Sequence, residues 1–351
     1  MLVLGIDTSC DDTSAAVVRN GREIVSNIVS SQTEIHQKYG GIVPELASRR
    51  HSEMIWPVTQ EALASAGVGL SDLTAIAVCH GPGLIGSLLV GCGFAKAVAF
   101  ARSIPLVAVN HLEGHIFAAF LEERAPEFPF LALIVSGGHT SLYLVEAFGR
   151  YAELGKTRDD AAGEAYDKVS KLLGMSYPGG PIIDRLAKEG NPKAFDFPRA
   201  YVPESFDFSF SGVKTSVRNQ IHRVRQKEQG ELREEFMRDV AASFQASVVD
   251  VLVRKVEWAI VQKRVRRVVL AGGVAANSAL RGRMQQMAID REVELFMPSI
   301  RLCADNAAMI AAAGYHHYMA GERAPLSLNA RAYMPLGTAE AESKKGEELL
   351  C

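Results

Sequence analysis

A chain of 351 residues is long enough for about two domains of roughly 150 residues each, and 48% hydrophobic against 22% charged residues is the balance of a soluble globular protein. Lys plus Arg number 38 and Asp plus Glu 40, a formal charge of -2, so no global field draws in polyanions and any RNA partner must be met by a local patch. The five cysteines (Cys10, Cys79, Cys92, Cys303, Cys351) are scattered and form no Cys-x-x-Cys, which argues against a disulfide scaffold and for a reducing cytoplasm; Met1 leads straight into a strand without a basic n-region, which gives the same expectation.

Residues 2–7, 14–19 and 23–30 are apolar runs between polar turns and predict three consecutive strands, a meander. A loop through Gly40-Gly41 precedes a helix over 44–66, with Pro44 in its first turn. A strand at 74–79 runs through His80-Gly81-Pro82-Gly83 into a helix over 84–102. The small-residue stretch 87–101 in that helix contains Lys96 and is short for a membrane span, so it predicts a buried helix. A strand over 105–109 then delivers His111 at its end, where open α/β sheets place their chemistry. The charged, proline-bearing segment 122–129 marks a boundary and closes a first domain of residues 1–125.

A second domain, 126–325, repeats the plan. Residues 131–145 read strand, turn, strand around Ser136-Gly137-Gly138-His139, as residues 2–18 do around Asp7-Thr8-Ser9-Cys10-Asp11-Asp12. The strand at 268–271 runs into Gly272-Gly273 and a helix containing Asn277. An insertion of helices and irregular stretches occupies about 156–262, and residues 326–351 form a C-terminal tail that is weakly packed from 337 onward. Such a duplication predicts two related α/β domains facing one another. Glycine-rich turns that open onto helix N-termini hold backbone N–H groups toward phosphate oxygens, which makes the cleft the expected home of a nucleotide.

His111 and His115 stand four apart in Asn110-His111-Leu112-Glu113-Gly114-His115, so on a helix they share one face and can hold one metal ion. Either imidazole can equally satisfy a carbonyl. The third ligand is expected at Asp305, a carboxylate suited to the start of the long Ala-rich helix that follows. Two histidines and one carboxylate suit a divalent transition ion with open positions for substrate. Iron(II) and zinc(II) are the natural candidates, since both accept these ligands. A His-Glu-x-x-His metalloendopeptidase is not indicated, because Leu112 follows His111. An ATP-dependent small-molecule kinase or ATPase switch fits the duplicated plan, but the His-His-Asp trio is unexpected there.

Six stretches carry a resemblance that spans nearly the whole chain: Gly5-Ile6-Asp7-Thr8-Ser9-Cys10-Asp11, His111 to His115, Val135-Ser136-Gly137-Gly138-His139-Thr140, Gly163-Glu164-Ala165-Tyr166-Asp167-Lys168, Phe210-Ser211-Gly212-Val213-Lys214, and Gly272-Gly273-Val274-Ala275-Ala276-Asn277. In this order they resemble the bacterial tRNA adenosine threonylcarbamoyltransferases, the TsaD family. The resemblance implies the duplicated actin-like ATPase fold, of the ribonuclease H-like kind. It implies transfer of threonylcarbamoyl from threonylcarbamoyl-AMP to N6 of the adenosine 3′ of the anticodon, in tRNAs reading codons that begin with A, with release of AMP. It also implies TsaB-like and TsaE-like partner proteins and no membrane. One departure is Asp12, where the family usually has Glu; the shorter side chain limits reach for any role in taking the amine proton.

The donor is a mixed anhydride with a good leaving group, so orientation and charge stabilisation are the main demands. A metal at His111, His115 and Asp305 acts as a Lewis acid on donor oxygens. The run Ile134-Val135-Ser136-Gly137-Gly138 offers small side chains and exposed amides to the donor, although a plain hairpin turn explains such a run as well. The resemblance gives Asp167 a donor contact, in keeping with a carboxylate accepting ribose hydroxyls. Gly180 lets backbone approach the adenosine portion, with Asp184 a turn later. Gly272, Gly273 and Asn277 form the second phosphate-facing element, Asn277 alternatively being a helix cap. Two basic runs, 222–227 and 263–267, are candidates for tRNA phosphates or simply solvated faces.

Overall fold

The computed structural model describes residues 1–202, 204–228 and 232–337. Two five-stranded mixed sheets carry the same order. In the first, β1 (Leu2–Asp7), β2 (Asp12–Arg19) and β3 (Glu23–Ser31) form the antiparallel meander, and β4 (Ala75–Gly81) and β5 (Leu106–Asn110) add parallel to β1, giving β3-β2-β1-β4-β5. In the second, β6 (Phe130–Val135), β7 (Thr140–Ala147) and β8 (Arg150–Lys156) repeat the meander, and β9 (Arg267–Ala271) and β10 (Glu294–Phe296) repeat the parallel additions. The strands at the centres, β1 and β6, are buried almost throughout, as the continuous apolar runs of two-sided strands require.

The helices are α1 (Thr33–Gln37), α2 (Pro44–Ala66), α3 (Ile85–Arg102), α4 (His111–Phe117), α5 (Ala162–Leu172), α6 (Gly179–Ala187), α7 (Ser211–Glu228), α8 (Glu234–Lys263), α9 (Ser278–Asp290), α10 (Ile300–Cys303) and α11 (Ala307–Met319). Helix α3 meets the length and composition of a membrane span. It packs through Leu88, Gly91, Cys92, Ala95 and Ala99, while Ile85, Leu89 and Phe100 stay exposed, so the buried helix expected is buried along one face. Helices α5 to α8 fill the expected insertion. The sequence reading gave no strand at β8 or β10.

Helix α11 departs from the sequence-based division. It follows the second sheet in the chain, yet residues Ala307 to Ala313 lie in the first sheet's core with Val3, Leu4, Ile6 and Val78. A Cβ at Gly5 would meet the backbone of Ala311 at 2.8 Å, so strand and helix touch backbone to backbone. The expected second domain of 126–325 thus includes a helix that packs in the first sheet's core. A third, smaller core joins the halves: Leu112 and Ile116 of α4 pack with Phe130, Ala132, Ile134, Val269 and Ala271 of the second sheet. The residues of the expected tail that fall at 338–351 lie outside the described residues.

Candidate active site

Helix α4 starts where β5 ends because Asn110 caps it, its Oδ1 accepting from the N–H groups of Leu112 (2.8 Å) and Glu113 (3.4 Å). One turn then sets the rings of His111 and His115 edge to face, 4.7 Å between centroids. At α11 the capping residue is Asn306, which accepts from Met309 N–H at 3.2 Å. Asp305 is therefore not the helix-start residue the sequence suggested, and its carboxylate is free to face the imidazoles. Its Oδ1 lies 3.5 Å from His111 Nε2 and 3.3 Å from His115 Nε2. The two helices are close because Gly114 has no side chain; a Cβ there would meet Ile310 at 2.8 Å.

Ligand atoms of His111, His115 and Asp305 all lie within 4.8 Å of one another. His115 is fully buried and, its ion-pair approach to Asp305 aside, neither of its ring nitrogens makes a hydrogen bond among the described residues. A buried polar group left this way is costly, and a cation would relieve it. The trio thus fits a divalent metal. Burial opposes charge on His111, but Asp305 and Asp7 outweigh it and raise the imidazole well above its ordinary range. Burial likewise opposes charge on Asp305, which the two histidines nonetheless hold well below the usual carboxylate range. A second grouping, Asp7, Cys79 and His111, is equally compact. There, however, burial pushes the Cys79 thiol up to about 12, which disfavours the thiolate a metal needs.

Asp7 serves His111 instead. Its Oδ1 accepts from Ser9 N–H at 2.9 Å and its Oδ2 lies 3.4 Å from His111 Nδ1, which leaves Nε2 facing Asp305. From the second half, His139 comes close; burial first, then His111 and His115, lower it to about 4, so it is neutral. Asp12 is pushed up to about 7 by burial and by the charges of Asp305 and Asp11, and its Oδ1 is buried without a partner. Tyr177 donates across to Asp11 Oδ2 at 3.5 Å. Four carboxylates, Asp7, Asp11, Asp12 and Asp305, thus crowd one end of the first sheet, an arrangement that favours a bound cation.

The glycine turns of the second half are laid out differently from one another. Ile134 and Val135 are wholly buried in β6 and offer only backbone. In the turn after them, Ser136 N–H donates to His139 O (2.8 Å) and Ser136 Oγ accepts from His139 N–H (3.1 Å). Gly137, Gly138, Gly180 and Gly273 border open space. Gly272 does not: its φ is +92° and a Cβ would collide with the Val135 carbonyl, so it serves the contact between β9 and β6. Asp167 accepts from Gly179 N–H at 2.7 Å at the start of α6, and burial pushes it up to about 6. Asp184 accepts from Ser278 Oγ (2.9 Å) and N–H (3.3 Å). Asn277 caps α9 through Leu280 N–H (2.9 Å) and donates to Gln245 (2.7 Å), the capping alternative of the sequence reading.

The model of the TsaD family, tRNA N6-adenosine threonylcarbamoyltransferase, matches residues 23–312. The chain belongs to this family. A relative of that description from Thermodesulfovibrio yellowstonii is 61% identical over 336 residues, 96% of this chain and 100% of its own. One from Geobacillus kaustophilus is 56% identical over 95% of this chain and 96% of its own. The chain is accordingly a transferase that acts on adenosine N6 of tRNA. Solved structures show the fold alone. HypF of T. kodakarensis is 14% identical with a TM-score of 0.58, over 91% of this chain and 48% of its own, and a ROK hexokinase of Thermus thermophilus is 15% identical with a TM-score of 0.52, over 92% and 100%. Both have the duplicated actin-like ATPase fold that the strand orders display. The kinase alternative is not favoured, since the relatives close enough to share an activity are TsaD-family transferases.

Sequence reasoning passed over four groups at this family site. Asp7 and Asp11 stand within the first of the six family stretches but carry no assigned role there, and Tyr177 has none. His139 carries no assigned role in the sequence because one more histidine in such a turn serves equally to donate to substrate or to the turn as to ligate.

Proposed function

We propose that this TsaD-family enzyme moves the threonylcarbamoyl group of threonylcarbamoyl-AMP onto N6 of the adenosine immediately 3′ of the anticodon, in tRNAs reading codons that begin with A, and releases AMP. The observation that carries the reading is the His111, His115 and Asp305 trio, two buried histidines and a half-buried carboxylate with ligand atoms within 4.8 Å of one another, close enough to His139 of the 136–139 turn to lower its pKa. Those three residues would hold a divalent ion, iron(II) in preference to zinc(II), supplying Lewis acidity toward donor oxygens. Asp7 orients His111, and neutral His139 adds no competing positive charge.

The donor's phosphate and carbamoyl portion would lie against the amides of Gly137, Gly138 and Gly273, with Ser136 holding the turn through His139. Its ribose would meet the Asp167 oxygen not used by Gly179, and its adenine would lie along Gly180 and Asp184. Ile134, Val135, Gly272 and Asn277 act through backbone placement. Asp12 takes the amine proton as the new bond forms, since an exocyclic amine is not deprotonated in advance. The same reading places the enzyme in the cytoplasm with TsaB-like and TsaE-like partners; exposed Trp56, Ile85, Leu89 and Phe100 on α2 and α3 supply apolar surface for such an assembly. Incubation of the metal-loaded enzyme and its partners with synthetic donor and unmodified tRNA, followed by mass analysis of nucleosides, tests the transfer. Modified adenosine at that position, with stoichiometric AMP, is expected. AMP release with no modified nucleoside would refute it.

A further inference from the structure

Helices α5 and α7 lie side by side and leave a hollow of about 300 Å³ between them, lined by Lys168, Lys171, Leu172, Lys214, Thr215 and Arg218. Helical spacing makes it: Lys168 and Lys171 are three apart on α5, and Lys214 and Arg218 four apart on α7, so all four side chains border one space, whose walls are mostly their carbon stems. Asp160 holds Lys168 and Lys214 at 2.7 Å each, and Glu164 also holds Lys168 at 2.7 Å. Lys171 and Arg218 form no ion pair among the described residues. Four cations against two carboxylates leave a local positive excess in a chain whose formal charge is -2.

The hollow lies beside the reaction site. Lys171 is one turn beyond Asp167 on the same face of α5. Its Nζ comes within 3.7 Å of where a Cβ on Gly40 would be, in the loop that joins α1 to α2 in the first half. The basic face continues along α7, where Arg225 donates to Leu172 O at 3.4 Å. By contrast, the run 263–267 stands at the opposite end of the second sheet. Arg267 opens β9, whose far end leads to Gly272, and it is committed to Glu127 (2.6 Å) and Glu294 (3.2 Å).

We propose that this hollow seats a backbone phosphate of the tRNA, with Lys171 and Arg218 as its direct contacts and Asp160 holding Lys168 and Lys214 in place around it. The inference rests on tRNA being the substrate. An open hollow with unneutralised cations at the cleft margin suits a phosphodiester of a strand passing over it, and it holds the strand so that the adenosine beside it reaches the trio.

The test uses full-length Lys171→Ala, Arg218→Ala and the double variant, with tRNA binding measured across a KCl series. Each substitution is expected to weaken binding several-fold at low salt and to make the dependence of log K on log salt shallower by about one per cation removed. Lys171→Arg with Arg218→Lys is expected to restore both. Binding of AMP and thermal unfolding should match wild type. An unchanged affinity and salt slope in the double variant overturns the proposal. So does a loss of AMP binding with tRNA binding intact, which would make the hollow a nucleotide subsite. Because binding is read without turnover, a wild-type chain that binds tRNA but transfers nothing counts against the catalytic reading and not against this site.

Discussion

Replacing His317 with Gln removes one charge from a buried chain of groups that ties α4 to its neighbours. Glu113 of α4 accepts from Tyr151 of β8 (2.5 Å) and pairs with His317 of α11 (2.7 Å), whose other nitrogen meets Glu322 at 2.8 Å. Burial disfavours the charge on His317, but Glu113 and Glu322 outweigh it and raise its pKa to about 9. Two further histidines lie within electrostatic reach of it: burial lowers His316 to about 4 and lowers His80 as well. The folded-state pKa lies above the unfolded one, so the stabilisation is complete below about pH 6.5 and is lost as pH rises through about 9. A raise of roughly two to three units corresponds to about 3 kcal/mol at pH 6 and almost nothing at pH 10. Urea unfolding of both proteins, read by Trp56 and Trp258, should show a deficit of that order for His317→Gln at pH 6 and nearly equal stabilities at pH 10. A deficit of the same size at both pH values would show that packing, not charge, is what the histidine supplies.

His115→Ala and Asp305→Ala should each lose most bound divalent metal by elemental analysis and most transfer, with circular dichroism unchanged; normal metal content in either variant rejects the trio. Gly272→Ala should destabilise by about 2 kcal/mol or more, because its positive φ and the Val135 carbonyl leave no room for a Cβ. Gly273→Ala, with open space beside it, should melt like wild type yet bind a nonhydrolysable donor analogue more weakly, and equal melting temperatures for the two variants would contradict this. Asp12→Asn should slow single-turnover transfer by about tenfold or more with donor affinity unchanged, and Asp12→Glu should keep most of the rate. A rate for Asp12→Asn within about threefold of wild type removes the proton-accepting role.

The repeat of a strand-turn-strand unit and of one parallel strand ending in glycines was legible because both sheets are written in the same apolar runs and glycine turns. The histidine pair was legible because i,i+4 spacing on a helix needs no tertiary information. Strand β8 was not, since Arg150–Lys156 is mostly exposed or half-buried and carries charges that read as loop, and β10 is three residues long. The destination of α11 left no trace either. A helix buried on every side from Ala307 to Gly314 has no polar face to orient it, and its match to Gly5 is one of shape. The roles of Gly272 and Asn277 divide for a similar reason: a glycine or asparagine after a strand looks the same whether it faces a ligand or a neighbouring carbonyl.

The place of α11 also bears on how the chain comes off the ribosome. Synthesis runs from β1 onward, so the first sheet is laid down early but has one face bare until residues 307–313 emerge. Asp305 reaches His111 and His115 only with that same late segment. The nascent first half therefore exposes apolar strands and two unsatisfied histidines while everything between is being made, and closing the hydrophobic face and completing the trio become a single late event. A ribosome-stalled chain ending before residue 300 should have neither a protected first sheet by hydrogen exchange nor the metal affinity of the full chain.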